Sequence, residues 1–292
     1  EFEFHNIPFW DLTQGYQVLV DEDLTTSIEG IWISPQHPVN MNSGWNMIAY
    51  FPEYELDASA PDLEVLTPVI DRVNIAKDGQ GRFMVPAQQF SNMEAWTEGN
   101  GYQVNISEGE PVVFRYPVED LNDENRINHF EKQFEISKGE HWIQPNPTGS
   151  NMSLLVTGLE YEEIKGFEIA AISLDGIIAG VGKLSRSSFL CFNSKAVCGF
   201  AVWGDDSLTT EIEGLKAGEG FALKLWNPLT KQEDLLRNEF DINVIDLSFE
   251  QNTLLVIDID NLTAIPDNFY FAGGYPNPFN STVRFNFGLP EH

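Results

Sequence analysis

Apolar positions along the chain follow two different rhythms. In the first 117 residues short apolar runs alternate with Gly, Pro and acidic turns, and one stretch has helical spacing. Gly15-Tyr-Gln-Val-Leu-Val20 and Gly30-Ile-Trp-Ile33 read as strands, and Pro35 and Pro38 mark the turn that follows them. Gly44 opens a turn into Trp45-Asn-Met-Ile-Ala-Tyr-Phe51, which reads as a buried strand. A helix is predicted from Ser59. Ser59 is a capping residue, Pro61 lies in the first turn, and Asp62 and Glu64 suit the positive end of the helix dipole. Leu63, Leu66, Val69, Ile70 and Val73 then share one face. Pro68 falls inside that pattern and should kink or split it. Val73-Asn-Ile-Ala76 is the next predicted strand, with Lys77-Asp-Gly-Gln-Gly81 as its hairpin turn.

From about residue 137 the rhythm is that of strands throughout. Ser153–Val156, Phe167–Ile172, Ile177–Val181, Val197–Trp203, Phe221–Trp226 and Leu254–Ile259 are strand-like, most of them bounded by Gly, Asn, Asp or Pro. Their spacing predicts an antiparallel β-sandwich. The expected class is mainly β: a small β-rich module with one short helix, then the sandwich, then a C-terminal strand segment. Glycines between Gly176 and Gly182 read as close packing within a strand pair.

One stretch occurs twice. Trp10-Asp-Leu-Thr-Gln-Gly-Tyr-Gln-Val18 and Trp96-Thr-Glu-Gly-Asn-Gly-Tyr-Gln-Val104 share the frame Trp-x4-Gly-Tyr-Gln-Val. Acidic turns follow both, Asp21-Glu22-Asp23 and Glu108-Gly109-Glu110. Internal repetition of this kind signals a modular chain. The expected boundaries are 1–30 for the tail of a preceding repeat, 31–117 for a repeat module, 118–136 for an acidic linker, 137–265 for the sandwich and 266–292 for a terminal segment.

Charge narrows the function classes. The 292 residues carry 45 acidic against 16 basic side chains, a net charge of -29. Such a surface repels phosphate backbones and anionic membranes, so nucleic acid is not an expected partner. No apolar run is long enough to span a bilayer as a helix.

Candidate chemistry is sparse. The five histidines show no His-Glu-x-x-His spacing, and neither a Gly-x-Ser-x-Gly elbow nor a Gly-x4-Gly-Lys-Ser/Thr loop occurs. Trp10, Tyr16, Trp96 and Tyr102 have rings suited to stacking on sugars, but a Trp at one place in each repeat equally suits a core anchor. Asp120, Asn122, Glu124, Ile127 and Glu131 fall at calcium-loop positions, although Asn125 stands where glycine would make the sharp turn. Without that glycine and without flanking helices, a solvated linker is the plainer expectation. Asp205 and Asp206, at a strand end, suit either calcium or a side-chain-closed turn. Cys191 and Cys198, across a short turn, suit a disulfide or two small buried hydrophobes.

Three resemblances add to this. Ser43-Gly-Trp-Asn-Met-Ile, a short helix, an acidic Gly turn and Trp-x4-Gly-Tyr-Gln-Val together resemble a small repeat module of large secreted proteins of Gram-negative bacteria. Phe167–Ile172, Val202-Trp-Gly-Asp-Asp-Ser and Gly218-Glu-Gly-Phe-Ala-Leu-Lys-Leu-Trp226 are similar to a second secreted β-module, one that often precedes a C-terminal sorting signal. Tyr275-Pro-Asn-Pro-Phe-Asn280, Ser281-Thr-Val-Arg-Phe285 and Leu289-Pro290 resemble the start of a type IX secretion sorting domain, lacking a Pro between Asn280 and Ser281.

The resemblances imply an extracellular or cell-surface protein with no catalytic residues; no cofactor is expected, calcium at the acidic positions above excepted. The type IX machinery, further copies of the chain, cell-surface components and carbohydrate are the implied partners. The expected function is structural or adhesive. An accessory carbohydrate-binding region of a larger secreted hydrolase is the alternative, and an enzyme within these residues comes third. The remaining strands of the sorting domain do not follow His292, so Val283, Phe285 and Phe287 are expected on a strand without hairpin partners. Such an edge would fold back on its own sandwich or complete a neighbour's sheet by strand addition.

Overall fold

A computed structural model describes residues 10–18, 25, 30–118, 141–160, 166–183, 185–186, 195–206, 209, 211–238, 247–258, 262–266, 270–275 and 284–288. The chain divides into two compact units, Glu1–Glu135 and Ile136–His292. Both are mainly β, and among the described residues no helix is long and apolar enough to cross a membrane.

The described residues of the first unit form seven strands: β1 (Val39–Met41), β2 (Gly44–Ala49), β3 (Val73–Lys77), β4 (Phe83–Val85), β5 (Phe90–Ser91), β6 (Gly101–Ile106) and β7 (Val112–Phe114). Five form one antiparallel sheet in the order β2-β6-β3-β4-β5, while β1 pairs with β7. The second copy of the repeat supplies β6, the strand between β2 and β3. Tyr102, Val104 and Ile106 on β6 alternate inward, as a half-buried strand requires. Gly44 has φ 86° and turns the chain into β2 as expected. That strand is not fully buried, though: Ile48 is its one core side chain, and Asn46, two residues before it on the same face, is a polar residue that holds the Asn42 and Gly44 backbone.

The predicted helix exists in altered form. It is a 3₁₀ helix over Glu64–Arg72, beginning five residues later than expected. Ser59 does not cap it: its amide and hydroxyl both donate to the Asp57 carboxylate, each at 2.8 Å. Pro68 lies within it and has no N–H to donate, which disfavours a regular α ladder. The apolar face survives: Leu63, Leu66, Val69 and Val73 are buried, Ile70 packs against them, and Val65 joins the core as well. Of the expected first-copy strand, residues 19–20 lie outside the described residues; its described part and the Gly30–Ile33 stretch do not form strands. Residues 15–18 and 30–33 are irregular, with Ile31 and Trp32 exposed.

The second unit holds β8 (Asn151–Glu160), β9 (Glu168–Ser173), β10 (Ile178–Lys183), β11 (Ser185–Arg186), β12 (Lys195–Trp203), β13 (Gly220–Asn227), β14 (Gln232–Asn238), β15 (Leu247–Ser248), β16 (Leu254–Asp258), β17 (Leu262–Pro266), β18 (Tyr270–Tyr275) and β19 (Arg284–Gly288). One sheet runs β10-β9-β13-β14-β17, with β15 also on β13, and a second runs β11-β12-β8-β16. Every other residue of β8 (Met152, Leu154, Val156), β12 (Cys198, Phe200, Val202), β9 (Ile169, Ala171) and β13 (Phe221, Leu223, Leu225) enters one core. That period of two is what a sandwich requires. The pairing departs from the expected all-antiparallel pattern where β16 runs parallel to β8 and in the isolated parallel bridge of Gly204 with Leu215.

Gly180 and Gly182 carry β10 close across β12 of the other sheet, where the sequence suggested packing within a strand pair. On the far side of β9 the buried Glu168 carboxylate accepts the amides of His141 and Trp142 at 3.1–3.3 Å. Trp142 then covers Ala170 and Val181. His141 stacks on Trp226 at 3.5 Å and its Nε2 meets Glu233 at 2.9 Å.

Cys198 is a free, buried thiol in the sandwich core, and burial raises its pKa. Cys191, its partner in the expected disulfide, lies outside the described residues. The strand containing Phe285 and Phe287 is not left without a partner: β19 pairs antiparallel with β18, Phe287 opposite Phe271 and Phe285 opposite Gly274. The expectation of missing hairpin partners overlooked the segment upstream, where Tyr270-Phe-Ala-Gly-Gly-Tyr275 supplies one. Val283 lies outside the described residues.

Candidate functional site: the repeated Trp-Tyr loop

Both copies of the repeat fold into the same loop. In the first, Gln14 N donates to Asp11 O at 3.2 Å and Asp11 N donates to the Tyr16 hydroxyl at 2.8 Å. In the second, Asn100 N donates to Thr97 O at 3.4 Å and Thr97 N to the Tyr102 hydroxyl at 3.2 Å. The frame therefore encodes a turn closed by its own tyrosine. Polar side chains brace each version. Thr13 N and Oγ1 donate to Asp11 Oδ1 at 2.8 Å, bonds that hold the Asp11 carboxyl below its usual range. Asn100 Nδ2 donates to Thr97 Oγ1 at 2.7 Å.

Burial separates the copies. Trp96 is 0% exposed and Trp10 is 57% exposed, and their partners Val104 and Val18 are 0% and 68% exposed. Trp96 lies flat on Tyr102 at 3.8 Å, and the Leu56 and Trp96 backbones exchange two hydrogen bonds of 2.9 and 3.3 Å. Tyr50 meets Trp96, Tyr102 and Tyr116 edge-on at 6.2, 6.4 and 4.9 Å. The hydroxyls here serve the backbone: Tyr50 donates to Tyr54 O at 2.6 Å, Tyr116 to Ala49 O at 2.7 Å and Tyr54 to Pro117 O at 2.6 Å. Burial raises the pKa of Tyr50, Tyr102 and Tyr116.

A sugar cannot reach rings so placed, so Trp96 and Tyr102 are corrected from ligand candidates to core anchors. Trp10 and Tyr16 keep their candidacy, with ring centroids 4.5 Å apart at 76°. Leu12 and Trp32 are exposed as well.

The acidic candidates divide likewise. Asp205 Oδ1 accepts Glu213 N at 3.0 Å, and the Asp206 backbone carbonyl accepts Thr209 N at 3.2 Å. Asp120, Asn122, Glu124, Ile127 and Glu131 lie outside the described residues. Among the described residues no cluster of three or more metal-ligating side chains forms.

Sequence reasoning missed three charged side chains. The Asp78 carboxylate accepts Gln80 N, Arg82 N and Arg82 Nε at 2.9, 3.0 and 2.6 Å, fastening the β3–β4 turn. Asp-Gly-Gln-Gly was the available signal for that clasp. Arg72 donates to Ser107 and Glu110, tying the helix end to the acidic turn after β6. Lys77, expected in the hairpin turn, instead ends β3, and nothing in the sequence signalled its burial. It is 2% exposed, with its Nζ 4.8 Å from the Trp45 ring centroid.

Burial lowers the Lys77 pKa from 10.5 to about 8. The folded chain thus binds fewer protons than the unfolded chain between those values, and stability rises with pH across that window. Lys77→Met should flatten the rise and stabilise the protein at pH 7, by on the order of 1–3 kcal/mol. Denaturant midpoints of the two proteins from pH 7 to 10 measure the difference. Above pH 10 the buried tyrosines act in the opposite direction, since folding keeps them protonated.

The geometry is that of a packed β-module with one exposed aromatic loop at its first repeat. Comparison with protein-family models, curated proteins and solved structures finds no match for this chain.

Proposed function

We propose that the chain is a non-catalytic structural or adhesive part of a type IX-secreted surface protein, assembled from β-rich modules. The observation that carries this reading is the fate of the repeated Trp-Tyr pair, which in the second copy is the anchor of a core. Other reactive side chains in the described residues have similar employment. Glu168 holds two backbone amides, Asp78 fastens a turn, and the buried tyrosines donate to carbonyls. The C-terminal resemblance supplies the route of export. Net charge of -29 suits a protein kept soluble outside the cell.

The test is delivery. The full chain with an N-terminal epitope should become protease-accessible on intact cells of a type IX-competent bacterium, and stay inside an isogenic strain lacking that machinery. Retention in both strains sinks the export reading.

The exposed Trp10 ring, with the half-buried Tyr16 ring against it, favours one second reading, an accessory carbohydrate-binding region. Glycan-array binding by the full chain, abolished by Trp10→Ala, would establish it. Silence on the array leaves the structural reading in place.

A further inference from the structure

The edge of β2 that faces away from β6 is covered. Residues 13–15 of the first loop run along it: Ala49 N donates to Thr13 O at 3.0 Å, Gly15 N donates to Met47 O at 3.2 Å, and Gln14 faces Ile48 as an antiparallel bridge. The first copy of the repeat therefore acts as an added edge element of the sheet built around the second. Strand edges left open invite unspecific pairing, so a dedicated cover has a purpose.

The contact is close at a glycine on both sides. A Cβ on Gly15 would come to 3.0 Å from Ile48 O and 3.1 Å from Gly101 Cα, while a Cβ on Gly101 would come to 3.2 Å from Gly15 Cα. Gly15 and Gly101 hold the same position in the repeated frame. The glycine of one copy thus meets the glycine of the next, backbone to backbone. The apolar side chains of the first loop take no part in this, since Trp10 and Val18 remain exposed.

We infer that this is the joint between successive repeats: the Trp-x4-Gly-Tyr loop of one repeat docks by its backbone on the β2 edge of the next, and the frame's glycine admits the approach. The partner for the β2 edge is a repeat of the same kind. The inference rests on taking the first copy as part of a preceding repeat, as in the proposed function. Its mechanical consequence is that neighbouring repeats move as one body, since hydrogen bonds cross from one to the other.

Solution measurements on the full chain test it. In the wild type the Ala49 amide should be protected from hydrogen exchange, and a Gly15 Hα–Gly101 Hα cross-peak should appear. Gly15→Val should raise Ala49 exchange about tenfold or more, the loss of roughly one hydrogen bond's net worth, with Val104 and Tyr102 amides unchanged. Should the valine variant unfold the module, Gly15→Ala replaces it, with a smaller rise confined to Ala49. A wild-type Ala49 amide exchanging like an open loop, or the absence of the cross-peak, overturns the joint. Neither signal depends on export or glycan binding, so failure of the functional proposal would show in the delivery test and leave these results standing.

Discussion

Gly180→Ala is expected to abolish cooperative folding of the β-sandwich, a loss on the order of 3 kcal/mol or more. The added methyl would land on the Ala201 carbonyl oxygen of β12, inside van der Waals contact, with Phe200 Cδ2 3.1 Å away on the other side. The obstacle is backbone, which cannot swing aside as a side-chain tip can. β10 belongs to one sheet and β12 to the other, so relief of the clash separates the two layers. Beside it, a Cβ on Gly182 would collide with Cys198 Sγ and the Phe200 ring. Gly176→Ala provides the contrast. Nothing lies within 4 Å of its Cβ position, and its φ of 89° alone should cost about 1 kcal/mol. Denaturant unfolding, with exchange protection of the β8 and β12 amides as readout, separates the two. Equal behaviour of the variants would refute the close crossing of β10 over β12.

The second large effect compares one residue type at two equivalent positions. Trp96→Ala should cost about 3–5 kcal/mol, because it empties the centre of the first unit's core. It removes the ring stacked on Tyr102 and one of the edge contacts of Tyr50. Trp10→Ala should change stability by no more than about 0.5 kcal/mol, because its ring is 57% exposed. The local loops are alike in backbone hydrogen bonding, so the difference measures surroundings and not the motif. Chemical unfolding followed by circular dichroism gives both values. A Trp10→Ala loss comparable to that of Trp96→Ala would mean that Trp10 is covered in solution.

Much of the strand content could be read from alternation alone. All six stretches expected in the second unit are strands, because period-two burial is written into adjacent residues. β14, with Glu233, Asp234 and Arg237 among its residues, gave no such signal; it is held by pairing with β13 and β17. The helix was legible as an apolar face and misjudged in type, since the Asp57 carboxylate claims Ser59 and Pro68 lacks a donor. The candidate site was half legible. Repetition located Trp10 and Trp96, yet nothing in either nonapeptide says which ring is buried.

Local order is what the sequence determined by itself: the strand periods, the glycine turn at 44, the tyrosine-closed loop at both copies. These depend on side chains a few residues apart, whose sterics and hydrogen bonds act before any sheet exists. Tertiary structure alone decided which edges meet. It set β16 parallel to β8, β19 against β18, the first loop against β2, and Lys77 inside the first unit. Strands β18 and β19 are near neighbours in the chain; the other outcomes depend on groups far apart in it, where the free energy of burial and pairing has no counterpart in local pattern.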